Sequence, residues 1–298
     1  MAEYFCKRDQ AVVVLDNLST GKVSNLDWKT PGMNLDLIEA TAGDEAVLRQ
    51  ILPSCCQVFH LAALPSVAES VKDPLKSHQH NLDITLKILL AAREARVDRF
   101  IFASSCAVYG NEPANPKTEQ MATNPLSPYA LQKLASEGYC RVFSDLYGLP
   151  AVALRFFNVY GPRQSYDSGY SGVIARFCHQ MVQGREPEIL GDGGQTRDFV
   201  YVENVVEAAA RCAAAPVDAV AGKRFNIATG RSVSLLDLVD AINRLTGQTL
   251  KPKFGPARLG DIRISEASIE AAQAAFGYQP QFSLADGLGR MLKVQARA

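Results

Sequence analysis

The sequence lacks the features that mark membrane, secreted and nucleic-acid-binding proteins. Its 31 lysines and arginines are balanced by 31 aspartates and glutamates, whereas phosphate-rich partners usually require a basic excess. No apolar run reaches the roughly 18 residues that cross a bilayer. The first ten residues, MAEYFCKRDQ, lack the apolar core of a secretory signal. We therefore expect a cytoplasmic protein that binds neither membranes nor nucleic acids.

Cysteine and histidine are too few and too scattered to predict a metal site or a disulfide framework. None of the spacings between the 7 cysteines suits zinc, and the 4 histidines form no ligand motif. His60 falls in an apolar strand pattern and is expected in the core, whereas His78 and His80 are expected to face solvent. Cys106 is interpreted as a small packing residue. The sequence thus predicts a reduced enzyme with no metal.

Short apolar runs alternate with helical patterns along the first half of the 298 residues. This alternation predicts an α/β domain with a doubly wound parallel sheet, whose strands are buried on both faces. Beyond Pro162, glycine- and tyrosine-rich loops predict a smaller, mixed α/β domain. We place the two domains at residues 1–163 and 164–298. The predicted strands and helices are Ala11–Asp16, Gln57–Ala62, Arg99–Ser104 and Ala151–Phe156, with Leu82–Arg96, Tyr129–Tyr147 and Leu235–Thr246.

The start of the chain is unusual for such a domain. Asp16 ends an apolar strand, as does the acidic residue that binds a ribose hydroxyl after the second strand of a dinucleotide-binding fold. A first strand, a glycine-rich turn and a helix, about 30 residues together, normally precede that position. Only 15 residues precede Asp16, and none is glycine. The sequence therefore predicts a sheet without its central first strand, and a misplaced start codon is one explanation.

Tyr129 and Lys133 are the strongest candidates for chemistry. A spacing of four places both side chains on one helix face. Lowering a tyrosine pKa from about 10 to 7 costs about 4 kcal/mol, and an ammonium about 4 Å away at an effective dielectric near 20 supplies a similar amount. On spacing alone, a chance surface pair is an equally good explanation. Ser104 and Ser105 end a buried strand, where a hydroxyl either relays a proton or simply caps the strand.

With these residues, the chain resembles the NAD-dependent epimerase/dehydratase family of extended short-chain dehydrogenases, and within it the UDP-sugar 4-epimerases. The resemblance runs in order from residue 12 to residue 265 and implies a Rossmann-like domain. The matching stretches are VVVLDNLSTG (12–21), HLAALPSV (60–67), FIFASSCAVYG (100–110), SPYALQK (127–133), LRFFNVYGPR (154–163), GDGGQTRDFVYVENV (191–205) and ARLGDIRIS (257–265).

The resemblance implies roles for individual residues. Tyr129 is the expected catalytic base and Lys133 its partner, both also touching NAD, and Ser105 holds the 4-hydroxyl of the sugar. The remaining cofactor contacts are expected from Asp16, Asn17, Leu61, Ala62, Ala63 and Asn81. The nucleotide sugar is expected to contact Ser66, Asn158, Arg197, Arg258, Asp261 and Ser265. Arg197 and Arg258 are both interpreted as loop residues that bind the phosphates.

Two local features of the sequence favour some activities of the family over others. The segment after Ser105 has no acidic residue, which favours simple epimerisation over the dehydratases and decarboxylases. Ser265 is small where a bulky aromatic would exclude a 2-acetamido group, and Ser66 lies in an LPSV stretch like that of acetamido-sugar epimerases. We therefore expect UDP-GlcNAc and UDP-GalNAc as substrates, with UDP-Glc and UDP-Gal also considered.

Two departures from the family pattern keep alternatives open. The glycine-rich phosphate turn is missing, and Thr41 stands where an aspartate usually reads the adenine amino group. The rival hypotheses are a nucleotide-sugar-binding protein that does not retain NAD, a truncated inactive chain, and a related enzyme such as a UDP-glucuronate 4-epimerase. The resemblance also implies a homodimer that pairs 82–96 and 129–147 of each copy in a four-helix bundle.

Overall fold

The structure is a computed structural model that describes residues 1–166, 172–257 and 262–295. The helices are α1 (Ala2–Cys6), α2 (Glu45–Ile51), α3 (Val67–Lys72), α4 (Pro74–His78), α5 (Ile84–Ala95), α6 (Pro128–Tyr147), α7 (Val173–Val182), α8 (Val202–Ala214), α9 (Val217–Val220), α10 (Leu235–Thr246), α11 (Glu270–Phe276) and α12 (Leu284–Gln295). The strands are β1 (Val12–Asp16), β2 (Leu35–Glu39), β3 (Gln57–His60), β4 (Arg99–Ser105), β5 (Ala151–Phe156), β6 (Asn158–Tyr160), β7 (Glu188–Leu190), β8 (Thr196–Tyr201), β9 (Arg224–Ile227), β10 (Ser232–Ser234), β11 (Lys253–Gly255) and β12 (Ile264–Ser265). Among these helices, none combines the length and apolar composition of a membrane span.

The predicted α/β architecture is confirmed, and the strands of the described residues form four sheets. One sheet runs β3-β4-β5-β9, with β3 parallel to β4, and a separate sheet pairs β1 with β2 in parallel. A third has the order β10-β8-β12 with β6 also on β8, and the fourth pairs β11 with β7. Contacts divide the chain into two compact units. The first comprises Met1–Ser104, Pro125–Ala153 and Ala213–Arg224, and the second comprises Ser105–Asn124, Leu154–Cys212 and Phe225–Ala298.

The first unit has its own core beneath α5 and α6. Its centre is built from buried apolar side chains such as Leu89, Phe100 and Phe143. Leu15 of β1 and Val58 of β3 pack against this same core. Within the described residues, however, β1 pairs with β2 alone and β3 with β4 alone. β1 and β3 therefore pack on one core while they belong to two separate sheets.

β1 corrects the prediction that the run from Ala11 is a fully buried strand. Its residues are half-buried or exposed, and Val13 is 38% exposed. A strand that has one neighbour and little covering it keeps part of its surface in water, whereas β4 is covered on both faces and is buried along nearly all its length. The short helix α1 lies close by, and its Phe5 ring contacts the Phe59 ring of β3 at 5.0 Å between centroids.

Helix α6 begins and ends where the sequence predicts. The Ser127 hydroxyl accepts a hydrogen bond from the Ala130 amide, Pro128 occupies the first turn, and Gly148 ends the helix at φ 68°. Helix α5 also matches its prediction, but a π-helical turn, Gln79–Asp83, precedes it and was not foreseen. Such turns reorient side chains locally and are frequent at functional sites.

The second unit is organised around β8. This strand pairs with β10 on one side, in antiparallel register, and with β12 and β6 in parallel register. Its core includes Phe177, Met181 and Ile242 from α7 and α10. Because three short strands meet on β8, residues far apart in sequence are brought beside one another. The boundary predicted at residue 163 stays a prediction.

Candidate active site

Tyr129 and Lys133 lie on adjacent turns of the buried face of α6. Tyr129 is 9% exposed and Lys133 only 4%. The Lys133 Nζ lies 5.8 Å from the centroid of the Tyr129 ring and 4.7 Å from that of Phe102. It donates a hydrogen bond to the Ala103 carbonyl oxygen at 2.7 Å. The lysine is therefore fixed between β4 and the tyrosine rather than free to reach solvent.

The buried environment of Lys133 disfavours the charged form of its side chain. Burial lowers the pKa of Lys133 to about 8, while Cys140 and the negative charge of Glu137 act in the opposite direction. Burial also lowers the pKa of His60 on β3 to about 3, and the positive charge of Lys133 adds to that effect. His60 is thus neutral at pH 7, and its Nε2 forms a 2.9 Å hydrogen bond with Thr85, as expected of a core histidine.

The two serines at the end of β4 have different surroundings. The Ser104 hydroxyl donates to the Glu137 carboxylate at 2.5 Å, one helical turn beyond Lys133. The Ser105 hydroxyl accepts from the Ala107 amide at 3.2 Å and so caps the short helix that follows β4. Sequence reasoning missed Glu137, although its spacing of four from Lys133 continues the Tyr129–Lys133 series along the same face.

Asn81 is the centre of a buried hydrogen-bond network in the first unit. Its Oδ1 accepts from the Leu64 amide at 2.7 Å, and its Nδ2 donates to the Gln132 Oε1 at 2.8 Å. The same Gln132 oxygen accepts from the Ser77 hydroxyl at 2.7 Å. The π-helical turn places Asn81 at this junction, which ties the turn after β3 to the residue beside Lys133. The role of Asn81 in steadying the cofactor stays a prediction.

The residues after β3, which are predicted to line the cofactor, differ in their exposure. Leu61 is 44% exposed, Ala62 is exposed and Ala63 is partly buried. Ser66 is 4% exposed, and its hydroxyl accepts from the Glu69 amide at 3.0 Å as the cap of α3. Ser66 thus caps α3, and the substrate contact that the sequence predicts for it stays a prediction.

Asp16 is partly buried at the carboxyl end of β1, where its side chain is arranged by the following turn. Its Oδ1 accepts from the Leu18 amide at 2.8 Å, and Leu18 has φ 54°. The Asn17 Oδ1 accepts from the Ser19 amide and hydroxyl, so Asn17 also shapes this turn. A Cβ added at Gly21 would lie 3.2 Å from Oδ2 of Asp16. Glycine at this position therefore leaves space beside the carboxylate.

Three residues predicted to bind substrate meet on the sheet of the second unit. Ser265 of β12 is the register partner of Arg197 on β8, and Asn158 of β6 is paired with Phe199 two residues further along. The Nδ2 of Asn158 donates to the Asp198 carbonyl at 3.3 Å, and Ser265 is 8% exposed. Arg258 and Asp261 lie outside the described residues.

Arg197 corrects the prediction that it is a loop residue. It is the second residue of β8, and its Nη1 donates to the Thr196 and Ile262 carbonyls at 2.8 and 2.6 Å. Strand β8 already includes Thr196, the last residue of the turn-rich GDGGQT segment, and Thr196 pairs with Ile264 of β12. A strand holds the guanidinium in a more defined position than a loop would.

The neighbour of Arg197 anchors the loops around it. The Asp198 carboxylate is fully buried and accepts hydrogen bonds from the amides of Thr229 and Gly230 at 2.8 and 2.9 Å. Burial raises the pKa of Asp198, and these hydrogen bonds act against that rise. Burial also raises the pKa of Cys106 to about 11, which keeps its thiol neutral at pH 7 and agrees with the expected packing role.

The sequence matches the model of a known protein family. The model of the NAD dependent epimerase/dehydratase family matches residues 1–228. The chain belongs to this family. The predicted cofactor, NAD, and the prediction of an NAD-dependent enzyme are thereby confirmed.

Individual relatives and solved structures are similar to most of the chain. The chain is 39% identical over 286 residues to a UDP-glucose 4-epimerase of Mycolicibacterium smegmatis, which covers 95% of this chain and 90% of that protein. It is similar to the structure of a UDP-N-acetylglucosamine 4-epimerase from Methanobrevibacter ruminantium in complex with UDP-N-acetylmuramic acid, with 38% identity, TM-score 0.90 and coverage of 96% and 90%. It also resembles a Thermus thermophilus UDP-glucose 4-epimerase in complex with NAD, with 31% identity, TM-score 0.87 and coverage of 99% and 94%. The Rossmann-like fold is confirmed.

The described residues fit NAD at both of its ends. The space that Gly21 leaves beside the Asp16 carboxylate suits an adenosine ribose, whose hydroxyls donate to a carboxylate. The buried ammonium of Lys133 suits the hydroxyls of the nicotinamide ribose, beside Tyr129. The exposed Leu61 and Ala62 would lie along the molecule between these ends.

Proposed function

We propose that the chain catalyses the 4-epimerisation of a UDP-hexose through a 4-keto intermediate, with UDP-GlcNAc and UDP-GalNAc favoured. The observation that carries the proposal is the Tyr129–Lys133 pair, buried on α6 and fixed by the Ala103 carbonyl. A cation held beside a phenol favours the phenolate, which is the form needed to accept a proton at neutral pH.

The proposed mechanism gives Tyr129 the proton transfers. The chemistry that NAD supplies when bound is reversible acceptance of a hydride. The Tyr129 phenolate removes the proton of the 4-hydroxyl as hydride leaves C4, which turns the carbinol into a ketone. Reduction of the ketone from its other face would need hydride from the bound cofactor, and Tyr129 returns the proton to the oxygen. Lys133 stabilises the phenolate throughout, and Ser105 holds the sugar oxygen.

Binding of the diphosphate is assigned to residues of the second unit, whereas Ser66, which is assigned to the sugar, belongs to the first unit. Arg197, held on β8, is suited to the diphosphate because a guanidinium forms paired hydrogen bonds with phosphate oxygens. Asn158 contributes a further polar contact, and Ser66 is assigned to the sugar. Arg258 and Asp261 keep the phosphate and uridine-ribose roles that the family resemblance implies.

The function is tested by incubating the purified full chain with each of four substrates, UDP-GlcNAc, UDP-GalNAc, UDP-Glc and UDP-glucuronate. We expect conversion to the 4-epimer, fastest for the acetamido sugars, and NAD released from the protein on denaturation. Turnover of UDP-glucuronate alone would transfer the assignment to that substrate. Binding of UDP-sugars without any NAD would instead support a nucleotide-sugar-binding protein.

The preference for acetamido sugars is tested at Ser265. Ser265→Tyr is expected to lower kcat/KM for UDP-GlcNAc at least about tenfold, because the ring fills space that the acetamido group needs. We expect UDP-Glc turnover to change less, and Ser265→Ala to leave both rates nearly as they are. Equal losses for both sugars would show that residue 265 does not select the 2-substituent.

We also propose a homodimer formed through α5 and α6. Several large apolar side chains on these helices face outward, including Leu131 and Leu146 at 57% and 71% exposure and Leu90 at 39%. Burying such side chains against a second copy removes apolar surface from water. Light scattering is expected to give twice the mass of the chain, and a monomer would contradict the proposal. The cytoplasmic location stays a prediction from composition.

A further inference from the structure

The buried face of α6 carries a third polar side chain that the proposed mechanism has not yet used. Glu137 lies one turn beyond Lys133 and two turns beyond Tyr129, and it is 7% exposed. A buried carboxylate is costly unless it is hydrogen-bonded and near positive charge. Its burial beside the proposed catalytic pair therefore needs a compensating interaction.

Lys133 and Glu137 each form a hydrogen bond with β4, and the two residues of β4 that they contact are consecutive. Lys133 donates to the Ala103 carbonyl, and Glu137 accepts from the hydroxyl of Ser104, the next residue. Because the two anchors are adjacent on one rigid strand, the ammonium and the carboxylate are held in a fixed relation. The Ser104 hydroxyl also satisfies one carboxylate oxygen without neutralising its charge.

Among the described residues, the other titratable groups around Lys133 supply no negative charge comparable to that of Glu137 at pH 7. Its own helix presents Tyr129, Glu137 and Cys140, and β3 presents His60. Burial raises the pKa of Cys140, so its thiol stays protonated, and the low pKa of His60 leaves its ring neutral at pH 7. Glu137 is the neighbour whose negative charge favours the ammonium form.

We propose that Glu137 is a positioning residue of the reaction, whose buried carboxylate, held by Ser104, keeps Lys133 charged so that it can activate Tyr129. This inference rests on the proposed function only for the role of Tyr129. The electrostatic part concerns Lys133 itself and can be measured without turnover. Burial already brings the pKa of Lys133 to about 8, so loss of the carboxylate leaves much of the lysine uncharged at physiological pH.

The direct test is the titration of Lys133 in the full chain. Protein labelled with 13C at the lysine ε-carbon is titrated by NMR, and the Lys133 signal is identified by its loss in Lys133→Met. In Glu137→Gln, which keeps the size of the side chain and its capacity to accept from Ser104, we expect the Lys133 midpoint at least about one pH unit lower. An unchanged midpoint would overturn the inference, whether or not the protein is active.

The pH profile of turnover provides the second readout. Since the charged lysine is the active form, its loss appears as a fall in rate at high pH. One pH unit in the midpoint corresponds to about tenfold lower activity for Glu137→Gln than for wild type at pH 9, against less than about twofold at pH 6. A loss that is equal at every pH would show a merely structural role and contradict the inference.

Two variants serve as controls. Glu137→Asp keeps the charge and is expected to restore most of the wild-type profile. Asp145→Asn removes a charge from an exposed position on the same helix, about three turns beyond Lys133, and should leave the Lys133 midpoint unchanged. If Asp145→Asn lowered the midpoint as much as Glu137→Gln, the effect would come from the net charge of the helix. If wild type titrates as expected but lacks turnover, the proposed function fails while the lysine–glutamate coupling stands.

Discussion

The two ends of the proposed cofactor site are built in contrasting ways. At the catalytic end, Tyr129 and Lys133 are buried on a 20-residue helix, and the hydrogen bond that Lys133 donates to the Ala103 carbonyl of β4 fixes the lysine. At the adenosine end, Asp16 ends a strand that has one neighbour, and the hydrogen bond to its side chain comes from its own turn. Both ends belong to the first unit and share its core.

The two ends differ in how firmly the surrounding structure holds their side chains. Side chains that must hold a proton or a charge at a defined distance are surrounded by packed, hydrogen-bonded groups, as preorganised catalytic sites require. A ribose hydroxyl needs only an acceptor that it can reach, and a local turn is enough to present one. The catalytic end should therefore govern turnover and folding, whereas the adenosine end should govern cofactor affinity.

The largest expected effect separates chemistry from cofactor binding. Tyr129→Phe removes the group that accepts the proton and should lower kcat by about three orders of magnitude. Bound NAD, measured after denaturation, should stay at the wild-type amount because the ring still packs as before. Turnover close to that of wild type in Tyr129→Phe would refute the assignment of the base.

The next effect compares two asparagines for stability. Asn81→Leu leaves the Leu64 amide without its acceptor in a buried setting, and we expect the free energy of unfolding to fall by about 2–3 kcal/mol. Asn17→Leu, at the exposed adenosine end, should cost less than about 1 kcal/mol. Urea denaturation measures both, and equal losses would remove the contrast between the ends.

The smallest effect should be confined to the adenosine end. Asp16→Ala is expected to raise the Kd for NAD about ten- to a hundredfold, because hydrogen bonds from the ribose to a charged acceptor are lost. At saturating NAD, kcat should stay within about twofold of wild type. Asp36→Ala, which removes an exposed carboxylate from the neighbouring strand β2, is the matched control. An unchanged Kd in Asp16→Ala would remove Asp16 from the site.

Much of the fold follows from periodicity and helix-end signals. The apolar runs at β3, β4 and β5 and the Ser127-Pro128 and Gly148 signals of α6 all predicted elements that the structure contains. Periodicity could not show that β1 is half-exposed, since the covering of a strand depends on which strands pair with it. Nor could it place Arg197 in a strand, because the partners of β8 come from distant segments.

The candidate site was predictable in its catalytic pair but not in its supporting contacts. A spacing of four found Tyr129 and Lys133, since that spacing fixes the face of a helix. The Ser104–Glu137 and Asn81–Gln132 hydrogen bonds join segments 33 and 51 residues apart, so no local rule reveals them. Family resemblance named Asn81, and only the packing shows what it contacts.

The register of β12 against β8 places Ser265 directly beside Arg197. If Ser265 contacts the sugar and Arg197 binds the diphosphate, then the selection of the sugar and the binding of the nucleotide depend on the same pair of strands. A larger side chain at position 265 would press on the strand that carries the arginine as well as on the hexose. Redesign of this enzyme for other sugars would therefore need compensating changes along β8, so that a new preference does not loosen the hold on the nucleotide.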